Sequence, residues 1–60
     1  MMGPIEALEL ALSKEEEAIR IYGKFILEHS AVKDIFQFLM GEEEKHKKLI
    51  ETRIAELRSK

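Results

Sequence analysis

Residues 40–51, MGEEEKHKKLIE, decide how this chain is read. A run this charged belongs in water. Yet the apolar spacing on either side carries Glu43 and His46 onto the helical face that holds Phe36, Leu39 and Ile50. A carboxylate and an imidazole three residues apart therefore fall in the seam that must bury the core. Working outward, this second stripe runs Val32, Phe36, Leu39, positions 43 and 46, Ile50 and Leu57, with Ile35 and Leu49 on its flanks. Ser30 is the expected N-cap of the helix that carries it. Arg53 also falls on the stripe, where its long stem reaches outward or its guanidinium pairs with a carboxylate.

A matching pattern precedes it. Gly3-Pro4 makes a helix start, with proline at the first helical position and Glu6 in the first turn. The apolar stripe then runs Ile5, Leu8, Leu12, position 15, Ile19, Tyr22 and Ile26 in three-four alternation, widened by Ala11, Ala18 and Phe25. Ser13-Lys14-Glu15-Glu16 matches a capping box that would start a new helix, but the stripe crosses it without a phase shift. The stretch EHSAVKD breaks the pattern. The expected fold class is all-α: one domain over 1–60, with helix about 4–28, turn about 29–31 and helix about 32–57. Joined by so short a connection, the helices form an antiparallel hairpin. A hairpin leaves half of each seam in water, and a second copy completing a homodimeric four-helix bundle is the simplest remedy.

Composition narrows the function. Sixty residues hide only about 60% of the surface they expose when unfolded, and stability at that size usually needs a metal, a disulfide or a partner chain. There is no cysteine, which excludes disulfides and thiolate metal sites. Formal charge is −2 with acids and bases interspersed, and Lys45, Lys47 and Lys48 are balanced by Glu42, Glu43 and Glu44. That is no nucleic-acid footprint. No apolar run reaches membrane length and the first residues lack a signal-peptide pattern, so a cytoplasmic location is expected. The three methionines suggest packing, and His29, at a helix end, suits a cap better than a ligand.

Position 15, on the first stripe, is glutamate among Leu8, Ala11, Leu12, Ala18, Ile19 and Tyr22. A lone carboxylate in such surroundings costs several kcal/mol or takes up a proton. A turn near Ser30 sets residue 15 opposite a point between Glu43 and His46, so all three polar intruders share one level near mid-helix. A twofold axis, along the bundle or across it, would gather four glutamates and two histidines. Two divalent cations neutralise such a cluster, and oxygen and nitrogen donors without sulfur suit iron, manganese or zinc. The bland readings are that Glu15 is turned out to solvent beside Glu16 and Glu17, that His46 is a satisfied buried histidine, or that Glu42 replaces Glu43 as ligand.

A Glu on one helix with Glu-x-x-His on the next resembles the ligand pattern of the ferritin-like di-iron carboxylate bundles. The context, EEEAIRIYGKF followed by VKDIFQFLMGEEEKHKKLIE, is similar to the first half of a rubrerythrin-type domain over roughly residues 5–52. The resemblance implies Glu15 as a terminal ligand, Glu43 as a metal-bridging one and His46 as a terminal nitrogen ligand. Tyr22 matches a tyrosine that lies near the metals. The usual domain holds four helices in one chain, whereas two are expected here. Without a rubredoxin-like Cys-x-x-Cys, electrons would come from a separate donor. Ala18 stands where rubrerythrins carry an extra glutamate, which weighs against hydrogen-peroxide reduction.

The resulting expectation is a non-haem di-iron redox protein, of ferroxidase, oxidase or peroxide-reducing type, with two irons per homodimer and dioxygen or peroxide as oxidant. Carboxylate bridges would hold the two metals about 3.5–4 Å apart. Two other readings stand beside it. One is a non-catalytic helical dimerisation module. The other is the ferroxidase component of an iron-storage assembly, which predicts an oligomer larger than a dimer.

Overall fold

The computed structural model describes residues 2–59. Two helices, α1 (Pro4–Glu28) and α2 (Lys33–Arg58), are joined by a 3₁₀ turn, Ser30–Val32. No strand occurs among the described residues. Among the described residues, no helix is long and apolar enough to cross a membrane.

The start of α1 follows its residues. Gly3 is extended, Pro4 takes a first-turn position and needs no amide partner there, and the Gly3 N–H donates to Glu6 Oε1 at 3.0 Å. The helix runs unbroken through Ser13, whose hydroxyl donates back to the Leu10 carbonyl at 2.8 Å. A serine bonded to the turn behind it is a helix-interior serine, not a cap. His29 closes α1 by donating its backbone N–H to the Phe25 carbonyl at 2.8 Å, and its ring meets the Phe25 ring edge-on at 5.7 Å.

The start of α2 differs from expectation. Ser30 does not cap it. Ser30 lies inside the 3₁₀ turn, so the cap position moves on to Val32, whose side chain can accept no hydrogen bond. Asp34, in the first turn, supplies the negative charge that the helix start favours.

The helices pack antiparallel along their full length. Near the turn, Phe36 stacks on Tyr22 at 6.1 Å and meets Phe25 at 5.1 Å between ring centroids. At mid-length Lys47 pairs with Glu16 at 3.4 Å, and at the open end Arg58 Nη2 donates to Glu9 Oε2 at 2.8 Å. Only Ile54, 6% exposed, is buried among the described residues. The expected stripe skips it and passes through Arg53 instead. Helical drift over the last two turns brings residue 54 inward, four past Ile50, and turns Arg53 out, where its Nε donates to Glu56 at 3.0 Å. Val32, expected on the stripe, is exposed, and so are the flanking residues Ile35 and Leu49. The hairpin is a slab, 47 × 20 × 11 Å over its Cα atoms, one helix thick.

Candidate metal centre

Glu15 sits in the fourth turn of α1, and Glu43 and His46 occupy consecutive turns of α2 on the side facing it. A spacing of three residues puts Glu43 and His46 on one helical face, and the antiparallel register sets Glu15 against both. His46 Nδ1 lies 3.5 Å from Glu15 Oε1 and 3.6 Å from Glu43 Oε2. One donor atom from each residue falls within 4.8 Å of the others, a group that could hold a metal ion.

The two carboxylates are shielded and the imidazole is not. Side-chain exposure is 19% for Glu15, 21% for Glu43 and 48% for His46. Glu15 Oε2 is fully buried and has no hydrogen-bond partner. An orphaned buried carboxylate oxygen is costly unless a proton or a cation satisfies it. The Glu15 carboxyl is accordingly raised above its ordinary value. The hydrogen-bonding Glu43 carboxyl is the largest cause, burial comes next, and like-charge repulsion from Glu43 follows, with His46 pulling the other way.

Each residue singled out in the sequence has a definite place. Glu15 turns into the seam and not outward with Glu17, which pairs with Lys14 at the surface. Glu42 turns away from the group, and its Oε1 accepts from Lys45 Nζ at 3.2 Å. Tyr22 is half-buried two turns from Glu15, in the aromatic cluster at the turn end and outside the three-residue group. His29 lies at the end of α1, likewise outside it.

One arrangement escaped the sequence reading. Glu16 and Lys47, each one residue past Glu15 and His46, form an ion pair on one edge of the site. Lys47 is half-buried, unlike Lys45, because its stem lies across the seam to reach Glu16. The signal was present: the same offset from facing ligands places both residues on the same flank. The other edge of the group, where His46 is exposed, carries no such bridge.

Two carboxylate oxygens and one imidazole nitrogen are hard-to-borderline donors, suited to divalent iron, manganese or zinc. Three side chains leave part of any such ion's coordination shell for other ligands. No protein family, curated protein or solved structure matches this chain.

Proposed function

We propose that this hairpin is half of a ferritin-like four-helix bundle and that Glu15, Glu43 and His46 supply the ligands of a non-haem di-iron centre shared by two copies. Its chemistry is iron-centred oxidation by dioxygen or peroxide. The observation that carries the reading is the buried, unpartnered Glu15 Oε2 within a convergent O, O, N donor set. Among the described residues no arginine or lysine is bonded to this shielded carboxylate pair, which is costly until a proton or a cation neutralises it.

The chain's own residues would act as follows. Glu15 and Glu43, largely withdrawn from water, offer negative charge where it is least screened and so attract a divalent ion strongly. His46 would bind as the neutral imidazole, leaving the remaining negative charge to be balanced by the metal. Bound iron would supply one-electron redox steps, and the protein would supply spacing, charge balance and exclusion of competing ligands. Tyr22, two turns along the same face, would lie near the centre without ligating it.

Elemental analysis of protein purified from iron-supplied cells, combined with mass measurement in solution, tests the reading. It predicts about one metal per chain and two per dimer, from the ligand count. Glu43→Ala and His46→Ala should empty the site, whereas Glu42→Ala should leave metal content unchanged. Full metal retention in both of the first two variants would refute the ligand assignment. A metal-free dimer would instead favour a purely structural dimerisation module.

A further inference from the structure

We infer that Glu16 is a tether for Lys47: it holds the lysine ammonium at the flank of the Glu15–Glu43 pair and so keeps it from taking the place of a cation. The inference rests on the ligand reading above for what else fills that place, whereas the tether itself is carried by other residues.

Lys47 has three carboxylates to choose among. Glu43 stands four residues before it on α2, with the acid nearer the N-terminus, which is the favoured order for an ion pair within one helix. Counting at about 3.6 residues per turn, Glu43 lies between His46 and Lys47 on the helix surface. Lys47 therefore borders the group on the side away from His46, and Glu15 faces that same level from α1. Yet the pair that forms is with Glu16, across the helices at 3.4 Å. Glu16 is 41% exposed, about twice the exposure of Glu15 or Glu43. The lysine bonds the best-solvated carboxylate of the three and leaves the two shielded ones without it.

The balance behind this choice is narrow. An ammonium drawn in against Glu43 or Glu15 would feel a less screened attraction, but it would give up the water that a compact cation holds strongly. One competing carboxylate at the rim is enough to decide between such placements. Lys47 is also the lysine equipped to move. Lys45 is 73% exposed and pairs along its own helix with Glu42, whereas Lys47 is 35% exposed with its stem already across the seam. Passing the ammonium from Glu16 to Glu43 takes only rotation of side-chain bonds, with both helices in place.

The consequence for metal follows. Without Glu16, Lys47 turns inward and neutralises one of the shielded carboxylates, and a divalent ion must then displace it. Glu16 acts on the ion through Lys47, as a positioning residue and not as a ligand.

Two measurements test this. The first uses metal-free protein and a water-soluble carbodiimide, which joins an amine to a carboxylate in contact with it, followed by peptide mapping. Wild type should give a Lys47–Glu16 link, and Glu16→Gln should move the link to Glu43 or Glu15. A Glu16→Gln chain in which Lys47 links to neither would overturn the tether. The second is Mn²⁺ titration, followed by the electron paramagnetic resonance signal of the free ion. Glu16→Gln should weaken binding about tenfold, and Lys47→Gln should bind at least as tightly as wild type. The double variant should match Lys47→Gln, because a tether with nothing to hold has no effect. An equal loss from Glu16→Gln with and without Lys47 would mean that Glu16 acts only by its own charge, and would reject the proposal. Wild type that takes up no Mn²⁺ would defeat the ligand reading, while the position of the cross-link would still decide the tether.

Discussion

Glu15→Gln should reverse sign according to whether metal is present. Glutamine keeps the shape of the side chain and removes its charge. In the metal-free protein the carboxyl is 19% exposed, stands against Glu43 and has one oxygen without a partner, so losing its charge at neutral pH should leave stability unchanged or raise it. With metal, the same change deletes a charged ligand. An ion at 100 times its dissociation constant stabilises the wild type by about 2.7 kcal/mol. Unfolding 60 residues carries roughly 0.13 kcal/mol per kelvin of entropy, so that stabilisation corresponds to a rise in Tm of about 20 °C. The assay is thermal unfolding followed by circular dichroism, at one fixed protein concentration, with and without Mn²⁺, which avoids oxidation during the scan. Wild type should gain most of that rise and Glu15→Gln only a small part of it. A variant that keeps the full metal-dependent shift would show that Glu15 is no ligand and that its burial has another cause.

Three further outcomes follow from the same structure. Because the Glu15 carboxyl is raised, the folded metal-free protein holds its proton more tightly than the unfolded chain. The resulting stability is complete below the ordinary value of 4.5 and is lost as pH rises through the folded value. Urea midpoints of wild type relative to Glu15→Gln should therefore fall between acidic and neutral pH, and parallel curves would contradict the raised carboxyl. Gly41→Ala should stabilise by about 0.5–1 kcal/mol, since Gly41 is helical, its φ is not positive and an added methyl group meets nothing within 4 Å. Chemical denaturation measures it, and a loss of stability would mean that a partner approaches Gly41. Ile54→Ala should cost about 2–5 kcal/mol per chain by the same measurement. A cost under 1 kcal/mol would show that the open end of the hairpin is already frayed.

The helices were legible because a single period runs through each, and Pro4 and the EHSAVKD stretch punctuate them unambiguously. The convergence of Glu15, Glu43 and His46 was legible for the same reason: they interrupt the apolar stripes, and the turn position fixes their common level. What escaped has physical causes. Ser30 carries a cap residue's chemistry, but the three-residue 3₁₀ turn that displaces it depends on how the aromatic cluster of Tyr22, Phe25 and Phe36 closes the hairpin. Ile54 was missed because a heptad count drifts from a real helix by the last turns, and nothing after Ile50 resets it. Glu16–Lys47 was missed because a charged pair reads as solvent-facing until the register across the helices is known.

The slab is only one helix deep, and this governs how the chain resists amide exchange. A lone hairpin has no interior layer in which some hydrogen bonds outlast others, so every amide is a helix's radius from solvent. On dilution, deuterium uptake should spread over both helices together, not creep inward from the termini. Protection would then report association rather than local sequence.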